Sequence, residues 1–118
     1  MYNTILLEKT SGYAVVTMNR PREMNALSRE MRAELHAVLN ELENDDEVKV
    51  LIITGGDYVF SAGMDIKEMA ALADDEIADY FHSILKYLGK IYTYGKPVIA
   101  AVGGIALGGG FNIATVCD

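Results

Sequence analysis

The sequence predicts an α/β domain in which helices cover a sheet, and three observations predict it. Two apolar, β-branched runs near the N-terminus are separated by a short polar break containing glycine. Beyond them, short apolar runs alternate with longer stretches whose apolar residues recur at helical spacing. Turn-forming residues such as Gly55-Gly56-Asp57 and the Gly95/Pro97 pair stand between the runs. At 118 residues and 51% hydrophobic, the chain is long enough for one domain. Its folding would bury roughly two-thirds of the unfolded surface.

The first two runs, TILLE and YAVVTMN, flank Lys9 to Gly12 and read as a β-hairpin. NRPREMNAL follows as a loop, because Pro21 pushes Arg20 out of helical geometry and Asn25 can bond nearby backbone in a turn. Ser28 is a candidate N-cap for a helix whose apolar face is Met31, Leu35, Val38, Leu39 and Leu42. Asn44-Asp45-Asp46 ends that helix, and VKVLIIT reads as a buried strand. YVFSAGMDIKEM reads as a short extended piece, a glycine turn and a helix start.

From Ala73 to about Thr93 a long helix is predicted, its apolar side chains being Ile77, Phe81, Ile84, Leu85, Leu88, Ile91 and Tyr92. Acidic Asp74 to Glu76 at its start and Lys86 and Lys90 near its end match the helix dipole. VIAAV is a further short strand, and GGIALGGG leads into a last helix holding Phe111, Ile113 and Ala114. No internal repeat or low-complexity segment interrupts this order. The last helix meets no capping sequence before Asp118, so the chain reads as the N-terminal part of a longer protein.

Ten basic against seventeen acidic residues give a net charge of -7, which disfavours nucleic acid, since binding there depends on Lys/Arg neutralising phosphates. Cys117 is the single cysteine, the pattern of a reducing compartment, so a cytoplasmic location is expected. No apolar stretch approaches the ~20 residues that span a bilayer, and membrane association is not expected.

Two glycine-containing corners look built for chemistry: Ser61-Ala62-Gly63-Met64-Asp65 and Gly108-Gly109-Gly110. Glycine costs roughly 1 kcal/mol against alanine inside a helix, so three in succession need a reason, and close approach to the backbone is one. Each corner follows an expected strand and opens a helix, where N–H groups lack intrahelical partners. If both face one pocket, they could hold a single oxygen as an oxyanion hole. The glycines read equally as tight strand-to-helix turns.

NRPREMNAL, FSAGMDIKEM and GGIALGGGFNIATVCD together resemble the enoyl-CoA hydratase/isomerase (crotonase) superfamily, in order and spacing across almost the whole chain. The resemblance implies a crotonase-like spiral of ββα units, with residues 1–118 as the N-terminal part of the fold and one acyl-CoA-binding domain. It also implies a homotrimer or hexamer, an acyl-CoA thioester as ligand, and no cofactor or metal beyond the coenzyme A carried by the substrate. Position by position, the oxyanion donors would be the N–H groups of Met64 and Gly109. The coenzyme A contacts would come from Arg22, Met24 and Ala26, with Ala62, Asp65 and Ile66 lining the rest of the path; Arg22 could meet a phosphate.

The pattern departs at Asn112, where hydratases of this family usually carry a glutamate, and a second glutamate would lie beyond Asp118. An amide can hydrogen-bond water but cannot take its proton at neutral pH. Isomerisation, thioester hydrolysis or decarboxylation on the same oxyanion hole therefore stand beside hydration, as does a non-catalytic acyl-CoA binder or scaffold. Other groups carry less. His36 and His82 lack a second ligand at metal spacing. Ser61 has no nearby His motif to make it a nucleophile, Cys117 reads as core, and Asp65 reads as a group that caps or charges its helix start rather than one that transfers protons. Met24, Met64 and Met69 fit an acyl channel or irregular core filling alike.

Overall fold

A computed structural model describes residues 1–118. Strands β1 (Ile5–Thr10) and β2 (Gly12–Met18) form the antiparallel hairpin, paired from Ile5↔Met18 to Thr10↔Tyr13. The turn is tighter than the Lys9 to Gly12 break expected from composition, because pairing runs on until only Ser11 is left outside the strands. Helix α1 (Arg29–Glu43) starts where the Ser28 hydroxyl accepts the Met31 N–H at 3.2 Å. Met31, Leu35, Val38, Leu39 and Leu42 are all buried, as the spacing predicts. Each such side chain contributes roughly 1.5 to 3 kcal/mol by leaving water.

Strand β3 (Val48–Thr54) lies parallel to β2, and β5 (Val98–Ala101) parallel to β3, giving a sheet ordered β1-β2-β3-β5. Between Gly12↔Val48 and Tyr13↔Val50 the register slips by one residue, so Lys49 is the extra residue of a bulge and the inward phase changes from Val48 to Leu51 and Ile53. Strands β4 (Val59–Ser61) and β6 (Ile105–Ala106) leave this sheet and pair parallel in a second one. Each turn of chain thus contributes one strand to each sheet and then helices: β3 and β4 precede α2 (Ile66–Ala70) and α3 (Ile77–Tyr92), and β5 and β6 precede α4 (Gly109–Val116). Stacking β5 on β3 and β6 on β4 makes a spiral of ββα units. A repeat does therefore exist, in topology, where no repeat is visible in sequence.

One sheet face supplies the core, with Ala14, Val16, Leu51, Ile53 and Val98 packed with the apolar face of α1 and with Tyr87 and Ile91 of α3. The other face is less covered than a helix-covered sheet implies: Leu6, Tyr13 and Ile99 are exposed. The long helix also departs from expectation. A short 3-10 turn, Asp74–Glu76, precedes α3, and Tyr80, Tyr87 and Ile91 are its buried residues. Ile84 and Leu88 pack partly against the core, whereas Ile77, Phe81, Leu85 and Tyr92 are exposed. Apolar residues surround too much of α3 for periodicity to select a face, and the contact with α1 selects it. In α4, Ile113 is buried and Phe111 exposed; Cys117 lies just past the helix, half-buried in extended backbone.

Candidate active site

The site begins at the loop between β2 and α1. Pro21 opens a 3-10 turn, Pro21–Glu23, and Met24 and Asn25 both adopt left-handed backbone, at φ 52 and 55. Asparagine tolerates that region; methionine seldom does. The conformation is held by bonds from the Asn25 N–H to Arg20 O (2.9 Å), from Ala26 N–H to Glu23 O (3.0 Å) and from Ala62 N–H to Met24 O (3.0 Å). The Asn25 side chain is fully buried. Its oxygen accepts the Arg20 N–H at 2.8 Å, and its amide donates to the carbonyls of Gly55 (3.0 Å) and Phe60 (3.1 Å). The loop is thereby fastened to the lead-in of β4.

After β4 the chain turns at Gly63, whose φ of 104 disfavours any residue with a side chain. The Gly63 carbonyl accepts the Leu27 N–H at 2.8 Å, joining the corner to the loop through the Leu27↔Met64 bridge. Asp65 caps α2: one carboxylate oxygen accepts the Glu68 N–H at 3.2 Å, and the other lies 3.4 Å from the Arg20 guanidinium. With both oxygens engaged, Asp65 is the helix cap that its position allowed.

The second corner abuts the first. A side-chain carbon on Gly63 would stand 3.2 Å from the Gly109 nitrogen, and one on Gly109 would stand 2.6 Å from Met64 Cε and 2.9 Å from Leu27 Cδ1. Neither the Met64 nor the Gly109 N–H takes part in the hydrogen bonds that close these turns; the bonds from Gly110 to Leu107 O (2.8 Å) and from Asn112 to Gly108 O (2.9 Å) close the start of α4. Asn112, one turn along, has an exposed side chain that makes no hydrogen bond within the chain.

Beside these corners lies a cleft of about 510 Å³. Arg22, Met24, Ala26, Ala62, Met64, Asp65 and Ile66, all singled out from sequence, line it together. Gly109 and Asn112 are not among its lining residues; Gly109 reaches the site through its contact with Gly63 and Met64. Three residues of the wall, Arg20, Glu23 and Lys67, carried no sequence signal of their own. Three cations face two acids there, a local positive excess in a chain of net charge -7, which suits a phosphate-bearing ligand.

Arg32 supports the site from behind. It is buried, donates to Leu27 O (2.8 Å) and Ser83 Oγ (2.8 Å), and stacks 4.8 Å from the Tyr80 ring centre. Glu68 Oε1 sits 2.9 Å from its guanidinium, an ion pair whose angle falls short of a hydrogen bond. Sequence reasoning did not single out Arg32: its spacing of three from Leu35 places it beside the buried face of α1, but an arginine there reads as a solvated edge.

The remaining candidates fall outside the chemistry. Ser61 is fully buried, with its hydroxyl donating to Asn25 O at 2.8 Å and accepting the Gly63 N–H at 3.2 Å, so it is structural. Burial, with Asp118 adding to it, pushes the Cys117 thiol up to about 11. His82 is exposed, and His36 lies in a separate cleft of about 200 Å³ between α1 and α3. No group of three or more His, Cys, Asp or Glu side chains is disposed to hold a metal, and no helix is long and apolar enough to cross a membrane.

Comparison with known proteins identifies the family and the fold. A family model described as enoyl-CoA hydratase/isomerase matches residues 8–118. The chain is 44% identical over 117 residues to a short-chain-enoyl-CoA hydratase of Clostridium acetobutylicum, covering 98% of this chain and 45% of that protein. It is 42% identical over 118 residues to a crotonyl-CoA hydratase of Syntrophomonas wolfei, covering 99% and 45%. The crystal structure of an enoyl-CoA hydratase from Bacillus anthracis superposes with a TM-score of 0.93 at 32% identity, over 98% of this chain and 46% of that one. The ββα spiral is thus the crotonase fold, and the chain spans about half the length of the relatives it matches.

Proposed function

The chain belongs to the enoyl-CoA hydratase/isomerase family, and from that premise we propose that it binds an acyl-CoA thioester and polarises the thioester carbonyl between the N–H groups of Met64 and Gly109. The observation that carries this reading is the abutment of the two corners, both with N–H groups outside the turn-closing bonds, at the edge of a cleft with surplus positive charge. Charge developing on the thioester oxygen as an enolate forms would meet donors already in place; losing one such donor costs about 3 to 4 kcal/mol of transition-state stabilisation. Arg22 and Lys67 are the cations free to meet the phosphates of coenzyme A, since Arg20 is held by Ala26 O and Asp65.

The reaction on this hole is hydration or double-bond isomerisation. Hydration needs a base for water and a proton for the α-carbon, whereas isomerisation needs one group to carry a proton between carbons. Asn112 supplies no acid, which favours a one-acid reaction or, as a second reading, a thioester binder without turnover. Assays on crotonyl-CoA and a 3-enoyl-CoA separate these, and calorimetry with crotonyl-CoA tests binding. Turnover of neither with no binding refutes the proposal; binding alone selects the second reading. Asn112→Glu is expected to raise hydration where a second acid is present. Assembly as a homotrimer or hexamer is part of the proposal, supported by the exposed apolar side chains of Ile99, Val102, Ile105, Leu107 and Phe111. A monomer in sedimentation velocity overturns that part.

A further inference from the structure

Ser61 and Asn25 lie between the coenzyme-facing loop and both glycine corners. The Ser61 hydroxyl donates to the Asn25 carbonyl at 2.8 Å and accepts the Gly63 N–H at 3.2 Å. The Ser61 carbonyl accepts the Leu107 N–H at 3.0 Å, and Leu107 in turn accepts the Gly110 N–H at 2.8 Å. One residue therefore fixes the peptide entering the first corner and the segment entering the second. Asn25 anchors the same assembly through Gly55 O and Phe60 O. Leu27, two residues on, holds the Gly63 carbonyl at 2.8 Å. Because a trans peptide points its N–H opposite to its C=O, holding that carbonyl turns the Met64 N–H away from Leu27.

From this geometry we infer that Asn25 and Ser61 are positioning residues whose side chains set the direction of the Met64 N–H without touching the ligand, while the Gly109 corner is held by the Ser61 backbone carbonyl that any residue there would supply. The inference rests on the oxyanion reading above. Neither side chain lines the cleft, both are fully buried, and their hydrogen bonds end on backbone. Their removal should therefore leave thioester binding largely intact and loosen the Met64 donor, and a donor displaced by about 1 Å loses most of its effect on a reacting carbonyl.

The test uses crotonyl-CoA carrying ¹³C at the thioester carbonyl, bound to the chain and read by difference infrared spectroscopy, with affinity measured by calorimetry. Bound to the parent chain, the carbonyl stretch is expected to move to lower wavenumber. In Ser61→Ala and Asn25→Gly that displacement should fall by at least half while the dissociation constant changes less than threefold, and Ser61→Cys should restore part of it. Asn25→Gly keeps a residue at ease with positive φ, and if it does not fold, Ser61→Ala carries the same test. A full displacement in a folded variant overturns the positioning role and leaves the oxyanion reading standing. Loss of binding by more than tenfold overturns it too, by making these residues part of the binding surface. No displacement in the parent chain overturns both.

Discussion

The crossing of α4 over β4 makes Gly110→Ala the most informative single change outside the ligand-facing groups. A methyl group there would lie 2.8 Å from both the carbonyl carbon and Cβ of Ser61, and nearer still to the Ser61 oxygen. Carbon atoms at rest sit about 3.5 Å or more apart, so clearing the two carbons alone needs a separation of roughly 0.7 Å, and clearing the oxygen needs more. That shift would stretch the Leu107 N–H to Ser61 O bond, now 3.0 Å, beyond useful length. Overpacking costs about 1 to 3 kcal/mol, and the obstacle here is backbone that cannot swing aside. The lost hydrogen bond adds about 1 kcal/mol, and alanine's better helix propensity returns about 1. The net destabilisation is about 1 to 3 kcal/mol, which lowers the melting temperature by roughly 4 to 12 °C. Gly89→Ala is the control: it lies in α3 with nothing within 4 Å of the added methyl, and should gain about 1 kcal/mol. Urea unfolding followed by circular dichroism measures both. A Gly110→Ala chain as stable as its parent would refute the close crossing on which the meeting of the two corners depends.

Arg32→Met should destabilise by about 3 kcal/mol in guanidinium unfolding, at the low end for a buried pair because Glu68 keeps some exposure, and Arg32→Lys should recover less than half, lacking the planar fork; full stability in Arg32→Met would remove its supporting role. Burial pushes the Glu34 carboxyl up, but the Thr4 hydroxyl and the Asn3 and Thr4 N–H groups outweigh it and hold the group below its usual 4.5. A group lowered in the folded state stabilises above its unfolded value and loses that contribution as the pH falls, so thermal melts should weaken below pH 4.5. Glu34→Gln should flatten that acid limb; an unchanged slope counts against it. Cys117, raised by burial from 9.0 to about 11, should react with a disulfide reagent at pH 8 about tenfold more slowly than in unfolded chain, the smaller thiolate fraction being partly offset by the greater nucleophilicity of a more basic thiolate, and equal rates would show the thiol to be open.

Much of this molecule was legible one segment at a time. The α1 face, the Ser28 cap, the hairpin and the Asp65 cap all depend on residues within a few positions of each other, so periodicity and residue type suffice. The cleft residues Arg22, Met24, Ala26, Ala62, Asp65 and Ile66 were legible through three motifs whose order matched a family. Arg20 and Lys67 were not, because a surface charge beside a loop looks like any other charge until the loop closes around a cleft. Asn25 looked like a turn residue, and only the carbonyls of Gly55 and Phe60, 30 and 35 residues away, make it an anchor. The exposed side of α3 was equally hidden, since a helix apolar on most sides takes its inward face from its partner.

By itself, then, the sequence determined most local elements, the Ser28 and Asp65 caps and the positions of the two glycine corners, but not the two-residue strand β6, which exists only through its pairing with β4. Only the tertiary structure decided that β3 pairs with β5 while β4 pairs with β6, an arrangement that stacks one ββα turn on the next. That stacking brings Gly63 and Gly109, 46 positions apart in sequence, into contact. The physical reason is that local preferences act over one or two turns of chain, whereas the meeting of the corners is set by strand pairing and by backbone crossings so close that only glycine fits.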